Sequence, residues 1–405
     1  MAYRLLHDVA VVEWGEGIAA AFCARLLADL GARVVKVEPP GAGDPTRRAG
    51  PFPADLPHPE ASGLFLALNT NKLGLTLDPA TEAGRRILLR LLEGADVLVE
   101  DHRPADLARW GLAYADLARV RPNLVVTSIT PFGQDGPYRD FAATDLTLFH
   151  LSGYARVMAE RVADPEAQPP VRAQGEQVGF IGGLTAAAAT AMALLRRRLT
   201  GAGAHVDVSL WEAMGLMPQG RVAGAAYGER PRSRRRADNP LHNIVAVLPA
   251  SDGYVAISPR EEDQWRRWVE VMGSPAWAAD PRFATRDGRH QHWEELEALV
   301  SAWTRQHPKE ELYRRAQAHH VPCFPVNTPA DLLRSPHLRA RGFFQEVEHP
   351  VAGRLPYAGA PFKLAEQEPE PDRPAPLLGQ HTVRLLSALG LTAEDLTKLR
   401  ALGVI

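Results

Sequence analysis

Leu26–Arg47, LLADLGARVVKVEPPGAGDPTR, is the stretch whose reading decides the fold. It reads as the end of an amphipathic helix, a turn at Gly31, a buried strand from Ala32 to Glu38, and a Pro/Gly-rich loop leading to Arg47 and Arg48. Upstream, His7–Trp14 (HDVAVVEW) is a second apolar strand. Gly15-Glu16-Gly17-Ile18-Ala19-Ala20 follows it and opens a helix that runs to Leu30. Strand, G-x-G-x-x-A turn, helix, and a strand ending in Glu38 make up the dinucleotide-binding fingerprint. In that motif the glycines permit a tight turn, the helix N-terminus takes a pyrophosphate, and the acid takes a ribose hydroxyl. On spacing alone two readings stand: a nicotinamide dinucleotide site, or a strand-turn-helix entry with no such ligand.

The 405 residues exceed what one hydrophobic core usually serves, so two domains are expected. Hydrophobic content is 45% and charged content 23%, as in ordinary globular proteins. The formal net charge of -2 gives no global attraction to nucleic acid or an anionic membrane, and any phosphate must be held by local arginines. The two cysteines, Cys23 in the first helix and Cys323 in an apolar loop, are too few for a disulfide framework or a structural zinc site. The N-terminus has no charged-then-apolar leader. The most apolar run, Leu184–Leu195, stops at Arg196-Arg197-Arg198, so no bilayer span is expected. A cytoplasmic enzyme without nucleic-acid or membrane partners is the expectation.

Strand-like and helical runs alternate through the first half, which implies a mostly parallel sheet with helices on both faces. The strands are read at Val9–Glu13, Arg33–Glu38, Gly74–Leu77, Asp96–Glu100 and Leu124–Ile129, with Thr81–Leu92 the clearest helix. Ala186–Leu199 is a second strong helix, stopped by Thr200-Gly201. Residues 1–225 thus form a large Rossmann-like α/β domain. The arginine-rich run Gly228–Asn239 reads as an exposed linker, since it lacks the interleaved aromatics of a nucleic-acid surface. Beyond it, Asn243–Ser258 reads as a hairpin turning at Asp252-Gly253, with helices from Glu262 and Trp293. Residues 240–325 are therefore a smaller α+β domain.

Several further segments share a pattern when taken in order. Asn69-Thr70-Asn71-Lys72 and Leu77-Asp78 resemble N-x-N-K followed by a strand ending in L-D. Ala95–Pro104 (ADVLVEDHRP) resembles A-D-V-x-V-E-N-F-x-P, and Ser128–Tyr138 (SITPFGQDGPY) resembles S-x-x-G-[FYW]-G-Q-x-G-P-Y. His349-Pro350, Gly353, Gly359, Pro361–Leu364 and Ala375–Thr382 (APLLGQHT) fit late motifs of the same pattern. Together they resemble the family III CoA-transferases (the CaiB/BaiF family) nearly end to end. That group includes formyl-CoA transferase, carnitine-CoA transferase and α-methylacyl-CoA racemase. The resemblance turns the glycine fingerprint into a fold marker for a CoA protein. It also implies an interlocked homodimer of ring-shaped chains, with residues 326–405 returning to the large domain after the smaller one.

The resemblance implies a chemistry as well. Family transferases use a carboxylate nucleophile that passes through a mixed anhydride and an enzyme-CoA thioester. In the family it is an aspartate directly after a glycine, ahead of a small-residue helix. The matching place here is Gly175-Glu176, before Gly179 and Gly182-Gly183, so glutamate stands where aspartate is expected. The extra methylene moves the carboxylate outward by on the order of 1 Å, a displacement that can cost about a hundredfold in rate if uncompensated. Glu176 is either the working nucleophile or a solvated loop acid or N-cap partner. Asp145 is the second candidate catalytic carboxylate; otherwise it caps the following helix. Racemase relatives place a histidine before the aspartate, and here that position is Thr144, which is no base near neutral pH.

For CoA, the resemblance makes Arg109 the phosphate contact and places Asp101, His102 and Arg103 in the loop after the fourth strand. His102 replaces the usual aromatic there and is expected to stack on adenine in its place. Leu77 and Asp78 fall at the adenine edge, while Ile18, Ala19 and Ala143 fall near the thioester and acyl group. Small alanines by the opening loop imply a roomy acyl site. CoA is expected as a substrate, with no permanently bound cofactor and no metal. Three activities remain open: CoA transfer from an acyl-CoA to a carboxylic acid, racemisation or isomerisation at the α-carbon of an acyl-CoA, and acyl-CoA binding without catalysis.

Overall fold

A computed structural model describes residues 3–158, 162, 164–229, 246–365 and 372–405. The chain divides into two compact units. The larger comprises residues 1–158, 171–226 and 340–405, and the smaller comprises 159–170 and 227–339.

The larger unit is built on a six-stranded sheet of β1 (Ala10–Trp14), β2 (Arg33–Glu38), β3 (Leu73–Thr76), β4 (Val97–Glu100), β5 (Val125–Thr130) and β6 (Ala204–Ser209). Its order is β3-β2-β1-β4-β5-β6, and every pairing is parallel. Both faces are covered, which is why the strands read as unbroken apolar runs. On one face Val11, Val34, Val97, Val99 and Val125 pack beneath the helices Ile18–Asp29 and Gln177–Thr200. On the other, Val12, Val35, Val37, Leu98 and Val126 meet the helix Glu82–Glu93 and the C-terminal residues Leu386, Leu396, Val404 and Ile405.

The strand order reverses between β1 and β4, where ligands of doubly wound sheets bind at the carboxyl ends of the strands. Trp14 and Glu100 end these two strands in register. The loops that follow are Gly15–Gly17 and Asp101–Arg103, both named by the sequence.

The long helix Gln177–Thr200 corrects one expectation. Its 24 residues are apolar and long enough, by length and composition, to cross a membrane, although the sequence reading found no such stretch. Much of it is used inside the protein. Val178, Gly182, Gly183, Ala186, Ala187, Thr190, Ala193 and Leu194 are buried. A Cβ on Gly183 would stand 2.6 Å from the Ala19 carbonyl oxygen, and one on Gly179 would stand 3.1 Å from Ile18. The glycines therefore let this helix lie against the first one at a distance other residues forbid.

The C-terminal segment is pinned to the sheet. His381 Nδ1 accepts from the Gly74 N–H at 3.0 Å, and Thr382 Oγ1 accepts from the Thr76 N–H at 3.0 Å. The Asn71 side chain donates to Asp372 at 2.7 Å and accepts from the Arg373 N–H at 2.9 Å.

The smaller unit holds an antiparallel sheet of β7 (Ala246–Ala250), β8 (Gly253–Ile257) and β9 (Cys323–Pro325). Its own core contains Trp265, Trp268, Phe283, Leu296 and Leu312. Cys323 thus starts a strand and is buried, where the sequence reading put it in a loop. Lys309 bonds Asp331 at 2.6 Å, which ties the helix Pro329–Arg334 to this unit and carries its boundary to Arg339, past the 325 read from sequence. Most of the arginine-rich run, residues 230–239, and most of the proline-rich run, residues 366–371, lie outside the described residues.

Candidate active site

Two cavities open at the switch point, and both touch Glu16. The larger, about 500 Å³, is lined by Ile18 and Ala19 from the first helix, Ala143, Thr144 and Asp145 after β5, Glu176 and Gly179 of the long helix, and Asp101. The smaller, about 200 Å³, is lined by Trp14, Leu77, Asp78, His102 and Trp110, among others. The proposed acyl-site residues and the proposed adenine-edge residues thus fall into two adjoining cavities within one unit. Arg103 and Arg109 line neither. Both are exposed, Arg103 as the N-cap of the helix Pro104–Trp110 and Arg109 within it, and both pair with Asp106, at 2.9 and 3.0 Å. Arg109 lies over the Trp110 ring, with 5.4 Å to its centroid, which places it beside the smaller cavity.

Glu176 is held in an uncommon backbone state. Its φ of 52° and ψ of 50° are left-handed, and it follows Gly175 at φ 90°. A non-glycine residue there costs of order 1 kcal/mol or more, and such strain clusters at functional positions. The residue is the helix N-cap, but its side chain makes no capping bond. The Glu176 side chain is 43% exposed, and its carboxylate lies 3.5 Å from Arg172.

Asp145 is the opposite case. Its Oδ1 accepts from the Val178 N–H at 2.9 Å and its Oδ2 from Arg172 at 3.1 Å, with the side chain 8% exposed. It is not the N-cap of its own helix: Thr144 caps that helix, in a reciprocal box with Thr147. Asp145 instead caps the neighbouring long helix and clamps the 172–178 loop. Nothing in the sequence pointed to Arg172, which bonds one of the two carboxylates and lies close to the other.

Asp101 accepts the Glu16 N–H on both oxygens, each at 3.0 Å, and so fixes the loop between the cavities. Burial raises its pKa to about 7, against a smaller lowering by His102. Burial pulls the His102 imidazole down, but the Glu100 carboxylate and Asp101 more than offset this and hold it above its usual value. The His102 ring is packed on Trp14, centroids 3.9 Å apart, and edge-on to Trp110 at 5.7 Å.

The acid that a dinucleotide ribose would need is already engaged. Both Glu38 oxygens are taken by Arg47, at 2.7 and 2.8 Å, and one also accepts the Asp44 N–H. Arg47 is fully buried and additionally bonds Glu60 and the Pro376 carbonyl. The nicotinamide reading therefore loses its ribose contact.

A family model for CoA-transferase family III matches residues 6–382. The chain belongs to that family. This family III CoA-transferase is 33% identical to the succinyl-CoA–D-citramalate CoA-transferase of Chloroflexus aurantiacus, over 99% of this chain and 98% of that one. It is 34% identical to the succinyl-CoA:(R)-benzylsuccinate CoA-transferase subunit BbsE of Thauera aromatica, over 95% and 94%. Among solved structures, a CaiB/BaiF family protein from Brucella suis superimposes with a TM-score of 0.83 at 30% identity, covering 96% of this chain and all of that one. The transferase resemblance read from the motifs is thereby shown, as are the mixed α/β fold and the use of CoA thioesters as substrates.

Proposed function

We propose that this CoA-transferase moves CoA from an acyl-CoA to a carboxylic acid with Glu176 as nucleophile. One Glu176 oxygen attacks the thioester carbonyl. The C–S bond breaks, CoA leaves as thiolate, and a glutamyl-acyl anhydride remains. The thiolate then attacks the glutamyl carbonyl, releasing the donor acid as carboxylate and leaving a glutamyl-CoA thioester. The acceptor carboxylate reverses the sequence and regenerates Glu176. N–H groups in the first turns of the two helices, at Ile18, Ala19 and Gly179, are read as the donors that hold each oxyanion.

The observation that carries this reading is the contrast between the two carboxylates. Both line the cavity, but Asp145 is clamped by two hydrogen bonds, whereas among the described residues Glu176 has a 3.5 Å ion pair with Arg172. A nucleophile must leave its partners to attack, and Glu176 has less to leave. The α-carbon reaction is less well supported, because Thr144 is committed to capping. CoA is read as lying across Glu16, adenine at His102 and Leu77, phosphates toward Arg109, thioester at Ile18 and Ala19.

Glu176→Gln should abolish exchange between an acyl-CoA and free acids, by a thousandfold or more in kcat, with acyl-CoA binding nearly intact. Glu176→Asp should keep measurable activity. Near-wild-type exchange by Glu176→Gln would move the chemistry to Asp145, and no exchange by the wild type with any pair would favour a protein that only binds acyl-CoA.

The assembly is read as an interlocked homodimer in the cytoplasm. In support, the long helix leaves Leu184, Met192, Leu195 and Leu199 exposed along one face, each more than half accessible. Light scattering should give twice the 44.2 kDa chain mass, and a monomer mass would contradict the dimer.

A further inference from the structure

The relatives named above are transferases whose names include succinyl-CoA, a thioester carrying a second carboxylate. The acyl cavity of this chain is poorly suited to one. Its lining includes four acids, Glu16, Asp101, Asp145 and Glu176, and no lysine, arginine or histidine among the described residues. Its most deeply buried walls are Ile129 and Val178, each 1% exposed, and Leu148, 2% exposed, joined by Leu64 and Leu210. At roughly 30 Å³ per water-sized group, about 500 Å³ holds roughly fifteen to twenty such groups. That is room for the cysteamine end of CoA and a branched or aromatic acyl chain.

A carboxylate placed against these walls would lose its water and gain no cation from the lining. The carboxylate that reacts is better placed, because Arg172, although outside the lining, stands directly behind the lining acids Asp145 and Glu176. Arg172 bonds Asp145 and stands 3.5 Å from Glu176, where the acyl exchange occurs. When Glu176 becomes an anhydride or a thioester its negative charge is gone. Arg172 then loses its Glu176 partner and presents a guanidinium to the acid arriving or leaving.

We propose that this site is specific for apolar monocarboxylic acids and their CoA esters, with Arg172 receiving the single carboxylate. The proposal rests on the transferase reading of the cavity, and its test separates the two. Hexanoyl-CoA and adipyl-CoA differ only in a terminal methyl or carboxylate, so titrating each into full-length Glu176→Gln protein by calorimetry reads the cavity without turnover. Hexanoyl-CoA is expected to bind at least fivefold more tightly. A smaller or reversed ratio overturns the proposal, whatever the enzyme's activity.

In the wild type, hexanoate should exceed adipate as acceptor by at least fivefold in kcat/KM. Arg172→Ala should raise the acceptor KM at least tenfold while changing hexanoyl-CoA affinity less than threefold, and Arg172→Lys should restore part of the loss. An unchanged acceptor KM in Arg172→Ala removes that residue from substrate recognition. If no acid accepts CoA while the calorimetric preference holds, the transfer chemistry fails and the cavity assignment stands.

Discussion

Glu176 and Asp145 are both legible in the sequence as carboxylates near a small-residue helix, but their division of labour is not. It depends on a left-handed backbone at Glu176 and on a hydrogen bond from Val178 to Asp145, across 33 positions. Arg172 carries no sequence signal for the same reason: its partners are set by how the 172–178 loop folds. Asp101 was read from the resemblance as a CoA contact. Its geometry adds a second property, a pKa raised by burial from 3.8 to about 7. The sign follows from linkage. Below about pH 4 the group is protonated in both states. As pH rises to about 7 the unfolded chain releases this proton first, so stability falls across that window. Asp101→Asn keeps an acceptor for Glu16 and removes the charge. It should be more stable than wild type at pH 8, by on the order of 2 kcal/mol, with the gap closing toward pH 4. Urea unfolding at both pH values checks this, and a gap independent of pH would contradict it.

The elements were the most readable level. Strand positions, the Asp252-Gly253 hairpin and the Gly201 stop of the long helix follow from local pattern and turn chemistry, and each is found. The start of the long helix was missed by nine residues, at Gln177 and not Ala186, because Gly179, Gly182 and Gly183 argue against helix when judged by propensity. Tertiary packing overrides that preference, since the first helix comes too close for side chains. Gly183→Ala places a methyl 2.6 Å from a backbone oxygen that cannot move alone. The helices must part, at about 1–3 kcal/mol, and Glu176 moves away from Ile18 and Ala19. Denaturant unfolding should register that loss, and exchange activity should fall with it. Unchanged stability and activity would mean that the helix contact does not position Glu176.

At the scale of the whole molecule, several residues of the motifs hold the large unit together. Lys36 sits between Glu13 and Asp44, at 2.7 and 2.8 Å, while Lys72 reaches the other Glu13 oxygen at 2.7 Å. These charges are buried beneath the loop that borders both cavities. Asn69 bonds Lys72, Asn71 binds the C-terminal segment, and Arg47 links β2 to Pro376. The sequence marked these residues without saying that their partners lie up to 329 positions away. Long-range pairing of this kind has no local signature, whereas the parallel sheet announces itself through alternation.

The central claim is that Glu176 becomes covalently acylated and then carries CoA. Incubation of the wild type with hexanoyl-CoA, followed by borohydride and peptide mass analysis, tests it directly. Borohydride reduces a glutamyl thioester to an alcohol and leaves free carboxylates alone. The account predicts a reduced residue at Glu176, dependent on acyl-CoA and absent from Glu176→Gln. Reduction at Asp145, or none at Glu176 while CoA exchange proceeds, would contradict it.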